Sequence, residues 1–476
     1  MIVTRCLLIA LWTAISLPAA EARGSGWAIH EWGTFTSLQD EAGQSIAGIN
    51  TDDEPVPQFV HRLSHWVLLT PSEVPVIFFQ GAPKCHPHVT MRLETPVIYF
   101  HPPEGAKGVG IQECDVKVQF RGGWLTEFYP MASPEVDGLQ ARKFKFGPLS
   151  SESTSSLEWP DLKVGGDWPL TNTTEHVWTS PRAVEAALVR TPEGEAEKFL
   201  FYRGVAHIDA PLRISREKTE LVFRSQLGEL PDRQKVNSAW LVNIRADGKA
   251  AFRALPKMQL VEDESQVLAR TAANFAPKDF SASNLETLKH ALRKTLIAEG
   301  LFADEAEALL NTWELSYFKS AGLRLFFIVP PAWTDHYLPL EISVPDKEKA
   351  KVNRVMVGRI ELVQPEQRRL LKEIAGFSPK LVEQEAEKVG KRYYEMLIGA
   401  RSPEVHRSFG AVGRGEKPLA SMIDVPKTYR TYLDLGRFRN ALILEEAKRN
   451  PSAGLTNFIN TYRLDAGMEA AELQAQ

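Results

Sequence analysis

Two histidines and a glutamate early in the chain have the side-chain types and spacing of a transition-metal site. His86 and His88 precede Glu94 in a stretch whose alternating polar and apolar residues predict a strand. Alternate side chains of a strand point to the same face, so these three polar side chains could converge. Imidazole nitrogens and carboxylate oxygens are ligands of Zn, Cu, Mn and Fe ions. The pattern suggests one divalent transition metal as a cofactor, bound in a metal-assisted hydrolase or another metalloenzyme.

The same strand also has a purely structural interpretation. Its polar face could lie at a sheet edge, with Glu94 paired to Arg92 or to a cross-strand partner. The pattern resembles the metal motif of cupin barrels in outline, but that motif has a shorter spacing between its second histidine and its glutamate. Here five residues separate His88 from Glu94, and Pro87 lies between the two histidines. The sequence leaves both interpretations open.

A second set of residues could bind an extended ligand. The alternation of residues 26–37 predicts a first strand, on which His30 and Trp32 share one face and could line a groove. The alternative is a Trp- and Phe-rich strand that packs into a core. The chain has 11 Trp residues, and because exposed indoles are good platforms for sugars, a glycan is a candidate ligand beside an envelope protein. The candidate ligand-binding residues are His30, Trp32, Arg92, Asp335 and His336.

Several common function classes lack their sequence signals. The chain contains no Gly-x-Ser-x-Gly elbow, no phosphate-binding loop and no Cys-x-x-Cys pair, which argues against serine hydrolases, nucleotide enzymes and dithiol oxidoreductases. Its 56 basic residues are balanced by 60 acidic ones, for a formal net charge of -4. This balance argues against a nucleic-acid partner, which would require a concentrated basic surface.

The beginning of the chain predicts export from the cytoplasm. Residues 1–5 carry one positive charge, residues 6–17 form an apolar run, and the small residues that follow suit cleavage after Ala22. This predicts a periplasmic or extracellular protein with no transmembrane segment once the signal is removed. In such an oxidising compartment the two remaining cysteines, Cys85 and Cys114, are predicted to form a disulfide.

The hydrophobic pattern predicts an α+β fold that is mainly antiparallel β and sandwich-like. Asp247-Gly248 and Gly122-Gly123 each predict a hairpin turn between two strands. Leucines at helical spacing predict a helical hairpin over residues 283–317. The predicted organisation is a signal peptide (1–22), a β-rich region (23–270), a helical hairpin followed by strands that complete the β core (271–364), and a mainly helical C-terminal region (365–476).

Several phrases scattered over the chain resemble a family of uncharacterised secreted bacterial proteins. They include HEWGTFTS at 30–37, ETPVIYF at 94–100 and VMVGRIEL at 355–362. The resemblance implies secretion and one architecture across most of the chain. It includes Glu94 but does not extend to the histidines at 86 and 88.

Two functional hypotheses follow from the sequence. The first is a secreted or periplasmic protein that binds an extended envelope or extracellular ligand, either a glycan or a protein, through a β surface. The second is the metalloenzyme centred on His86, His88 and Glu94. The sequence alone does not decide whether the chain is an enzyme.

Overall fold

The structure is a computed structural model that describes residues 26–50, 56–63, 86–103, 112–137, 149–231, 233–344, 350–398 and 425–465, with the side chains of 389–398 left out. The predicted signal peptide and Cys85 lie outside these residues. Within the described residues no helix has both the length and the apolar character needed to cross a membrane.

The predicted α+β class is confirmed, and its largest element is a ten-stranded sheet. From one edge to the other this sheet contains β16 (Ala250–Ala254), β15 (Ala239–Ile244), β19 (Gly322–Ile328), β21 (Lys351–Leu362), β1 (Ala28–Gln39), β3 (Met91–Leu93), β11 (Leu200–Ala206), β6 (Gly123–Tyr129) and β2 (His61–Arg62), while β4 (Val97–His101) pairs with β1 and β11.

Smaller sheets account for the other strands. The six-stranded sheet contains β10 (Ala196–Glu197), β9 (Val189–Arg190), β8 (Thr154–Val164), β5 (Gln112–Arg121) and β20 (Leu340–Ser343), with β7 (Ser133–Val136) paired to β8. The remaining strands are β12 (Leu212–Glu217), β13 (Glu220–Ser225) and β18 (Val267–Ala272) in one sheet, and β14 (Lys235–Val236) with β17 (Met258–Gln259) in another.

Most of the helices lie in two regions of the chain, which correspond to the predicted helical hairpin and the predicted helical C-terminal region. Helix α1 (His176–Arg182) lies apart from both clusters in the sequence. The hairpin consists of α2 (Asn284–Ala298) and α3 (Ala303–Thr312), followed by a π-helical segment (Glu314–Lys319). The later helices are α4 (Pro331–Tyr337), α5 (Pro365–Ala375), α6 (Pro379–Ile398), α7 (Lys427–Leu433), α8 (Arg439–Arg449) and α9 (Ala453–Tyr462).

The ten-stranded sheet separates two hydrophobic cores. One face packs against the six-stranded sheet, with Phe35 of β1 in the same core as Val118 and Leu157. The opposite face packs against the helical hairpin, with Trp32 of β1 in the same core as Leu292. Because both faces are covered, nearly every residue of β1 is buried.

Strand β1 pairs with β21 in parallel, from Ala28 opposite Lys351 to Gln39 opposite Leu362. The other strand pairs between described residues are antiparallel. The sequence patterns did not predict the parallel pair. Such a pair joins segments far apart in the chain, so no local turn signal marks it.

One predicted hairpin is confirmed and the other is wrong. Strands β15 and β16 pair across Asp247-Gly248, and Gly248 has a φ of 79°. Strands β5 and β6, on either side of Gly122, lie in different sheets. Gly122, with a φ of 75°, therefore turns the chain from one sheet into the other instead of closing a hairpin.

Candidate metal centre

Three buried side chains from separate parts of the sequence meet between the ten-stranded sheet and the helical hairpin. His30 lies on β1, His101 ends β4, and Glu305 lies in the first turn of α3. Strands β1 and β4 are antiparallel, with His30 opposite Tyr99 and Ala28 opposite His101. His30 and His101 are therefore diagonal neighbours on one face of the sheet, and their ring centroids lie 5.0 Å apart.

The start of α3 places Glu305 above the two imidazoles. Its carboxylate accepts a hydrogen bond from the backbone N–H of Phe302 at 2.7 Å, so Glu305 caps its own helix. The Phe302 ring packs against both histidines, with ring centroids 4.7 Å from His30 and 4.7 Å from His101. Capping and aromatic packing thus fix the carboxylate over the sheet.

The polar atoms of these three side chains are close enough to share one ion. His30 Nδ1 lies 2.7 Å from Glu305 Oε2, and His101 Nε2 lies 3.1 Å from Glu305 Oε1. One ligand atom from each residue lies within 4.8 Å of the other two. The residues are enclosed, with 4% of His30 and 0% of His101 and Glu305 exposed. We call this group the His-His-Glu cluster.

The hydrogen bonds of His101 define its tautomer. Its Nδ1 lies 3.0 Å from the backbone carbonyl oxygen of Glu185. A carbonyl oxygen only accepts, so Nδ1 carries the proton, and in a neutral ring Nε2 presents its lone pair toward Glu305. Metal-binding histidines are typically oriented by this kind of contact.

The carboxyl group of Glu305 is ionised. Burial alone raises its pKa, but hydrogen bonds from His101 and His30 outweigh that effect and lower the pKa to about 2. The ionised carboxylate would balance part of the charge of a bound divalent ion.

The structure does not bring the predicted metal ligands together. The His86 and His88 rings are neighbours, 5.7 Å apart, but His86 is buried and His88 is exposed. Burial, reinforced by His88 and His207, lowers the pKa of His86 to about 4. The Glu94 carboxylate instead accepts hydrogen bonds from Thr36 Oγ1 at 2.9 Å and Arg437 Nη2 at 2.6 Å.

The candidate ligand-binding residues do not share one surface either. His30, Trp32 and Arg92 are buried, because the helical hairpin and other elements cover the sheet that carries them. Asp335 and His336 lie on α4, where Asp335 pairs with Arg354 at 2.9 Å and His336 faces Glu229 at 3.7 Å. These positions do not form the open groove that the extended-ligand hypothesis requires.

The predicted disulfide is not found in the structure. Cys114 is a free and buried thiol, and Cys85 lies outside the described residues. Burial and the nearby Asp115 carboxylate raise the pKa of the Cys114 thiol to about 12. Cys114 therefore belongs to the hydrophobic core that also contains Val118 and Leu157.

Sequence reasoning missed two members of the His-His-Glu cluster. His30 was a candidate for ligand binding, whereas His101 and Glu305 had no assigned role. A signal existed for each, since His101 is a polar residue at the end of an apolar strand and Glu305 stands at the capping position of a helix. Neither signal indicates which distant residues are its partners.

Comparison with known proteins does not assign the chain to a family. No protein-family model and no curated protein matches it. Among solved structures, the Fcho1 mu homology domain from Danio rerio with bound Eps15 peptide aligns with a TM-score of 0.27 and 9% identity, covering 73% of this chain and 100% of that one. The yeast delta-COP-I mu-homology domain complexed with a Dsl1 WxWxV peptide aligns with a TM-score of 0.23 and 8% identity, covering 71% and 96%. Likeness at these TM-scores carries no argument about fold or function.

Proposed function

We propose that this chain is an exported metalloprotein that binds one divalent transition metal at His30, His101 and Glu305. The observation that carries the proposal is the convergence of two imidazoles and one carboxylate, all buried, with ligand atoms within 4.8 Å of one another. Export is supported by the signal-like first 22 residues.

The donor set favours zinc among the divalent ions. Two nitrogen donors and one carboxylate suit Zn²⁺, whereas Ca²⁺ and Mg²⁺ prefer oxygen donors throughout. The Glu185 carbonyl would orient His101, and the Phe302 ring would hold both imidazoles in place. The ion would thereby join β1, β4 and α3, and so fasten the helical hairpin to the sheet.

With His30, His101 and Glu305 as its protein ligands, a zinc ion would supply Lewis acidity and would activate a water molecule, the chemistry of metal-assisted hydrolysis. This feature moves the metal-assisted hydrolase hypothesis from His86, His88 and Glu94 to the His-His-Glu cluster. The burial of all three residues limits any reacting molecule to a small one.

A cobalt titration of metal-stripped protein tests the proposal. Co²⁺ reports its coordination through visible absorption, and we expect one saturable site with a four-coordinate spectrum. Because each substitution removes one of three direct ligands, His30→Asn and Glu305→Gln should each weaken binding by more than the roughly 10- to 100-fold that losing an outer-shell partner costs.

His61→Asn is the matched control for this titration. His61 also pairs with a carboxylate, Glu195, at 2.8 Å, but it belongs to no three-residue cluster among the described residues. This variant should bind cobalt as the wild type does. Equal binding by all four proteins, or no binding by any, would overturn the proposal.

A further inference from the structure

Two arginines with no solvent exposure share a single carboxylate beneath the π-helical segment. Arg324 on β19 and Arg359 on β21 are both fully buried. Arg324 Nε lies 3.0 Å and Arg359 Nη2 lies 2.5 Å from the same oxygen, Oε1 of Glu361. Two positive charges thus meet one negative charge inside the protein.

Neutral oxygen atoms satisfy much of the remaining hydrogen bonding of Arg324. Its Nη1 donates to the backbone carbonyl of Tyr317 at 2.8 Å, and its Nη2 donates to that of Ser320 at 2.8 Å. These carbonyls stabilise the guanidinium but do not cancel its charge. Burial lowers the Arg324 pKa to about 9, so the group is still protonated at neutral pH.

Arg359 retains an unused donor. Its Nη1 is buried and has no hydrogen-bond partner among the described residues. The guanidinium lies over the Tyr317 ring, 4.6 Å from its centroid, and its other contacts are to Glu361 and Ser320. A buried guanidinium nitrogen without an acceptor is costly, because nothing replaces the water it lost.

The other nearby carboxylate already has close partners. Glu94 is salt-bridged to Arg437 at 2.6 Å and accepts a hydrogen bond from Thr36. Its charge attracts Arg359, but among the described residues it forms no direct ion pair with Arg359 or Arg324. A buried positive charge in this position requires a negative partner.

We propose that Arg359 and Arg324 bind one small monovalent anion, of the size of chloride or formate, beneath the π-helical segment. Two guanidinium groups in direct contact with a single carboxylate favour a further negative charge, and the one guanidinium nitrogen without an acceptor suits a small anion. π-Helical segments often occur at functional sites, which agrees with this position. The anion site uses none of the residues of the His-His-Glu cluster, so either site can exist without the other.

Thermal unfolding of the full mature protein at constant ionic strength tests the anion site. Sodium chloride, bromide or formate is titrated against sodium gluconate, whose anion is too large to be enclosed. We expect the unfolding temperature to rise with each small anion and to level off at saturation, because an anion that binds only the folded state stabilises it. No difference between these salts and gluconate would overturn the proposal.

Two substitutions should change the anion response in opposite directions. Arg359→Met should abolish it, whereas Glu361→Gln should make chloride bind about tenfold more tightly by removing a nearby negative charge. Arg368→Met is the matched control, since Arg368 has Glu41, Glu445 and Glu446 as partners and should keep the wild-type response.

The wild-type titration keeps the test decisive. If Arg359→Met fails to fold, the comparison of chloride with gluconate in the wild type decides, because a purely structural ion pair predicts no saturable response to chloride there. An unchanged or weaker chloride response in Glu361→Gln would overturn the proposal. So would a wild-type response in Arg359→Met.

Discussion

Replacing Glu305 with Gln removes the carboxylate that His30 and His101 share while keeping the shape of the side chain. In metal-free protein, the shift of the Glu305 pKa from its ordinary value of 4.5 to about 2 stabilises the folded chain by about 3 kcal/mol at neutral pH. Because the folded pKa lies below the unfolded one, this contribution is complete above pH 4.5 and is lost as the pH falls through about 2. Glu305→Gln should therefore lose about 3 kcal/mol at neutral pH and much less in strong acid.

Urea unfolding followed by tryptophan fluorescence, repeated from neutral pH into acid, measures this difference. Glu307→Gln is the matched control, because Glu307 lies on the same helix but is exposed, with an ion pair to Arg293 at 3.2 Å and a hydrogen bond from Asn311 at 3.4 Å. The control should cost no more than about 1 kcal/mol at any pH. Equal losses in the two variants, or a Glu305→Gln loss that does not shrink in acid, would refute the argument for a shared buried carboxylate.

Three further predictions concern the fold and its export. Gly122→Ala should lower the unfolding temperature more than Gly248→Ala does. Both glycines have a positive φ, but a Cβ at Gly122 would lie 2.2 Å from Ile208 Cγ2, whereas a Cβ at Gly248 would meet open space. Equal decreases in the two variants would contradict this. Cys114 should resist thiol reagents in the folded protein and react after denaturation, because it is buried with a pKa raised to about 12; rapid labelling of the native state would contradict this. Mass spectrometry of the exported protein should show cleavage after Ala22, and an intact N-terminus would contradict the signal peptide.

Local patterns predicted the individual elements well. The Asp247-Gly248 turn and the helical hairpin each depend on residues that are neighbours in sequence. The pairing of β1 with β21 could not be predicted in this way, because it joins segments about 320 residues apart and no local signal selects the partner.

The candidate site was predicted only in part, for the same reason. The alternation of residues 26–37 correctly placed His30 on the first strand and on the same face as Trp32. Its partners at 101 and 305 come from two other elements, and their convergence depends on how the hairpin packs on the sheet. His86, His88 and Glu94 were predicted as metal ligands because they are close in sequence. In the structure the Glu94 carboxylate instead forms a salt bridge with Arg437.

Elemental analysis of the mature protein, purified without chelators, directly measures whether the His-His-Glu cluster holds a metal. We expect about one equivalent of a transition metal, zinc first, in the wild type and in His61→Asn, and a strong loss of that metal in His30→Asn and Glu305→Gln. A wild-type protein without metal, or full metal content in the His30→Asn and Glu305→Gln variants, would contradict it.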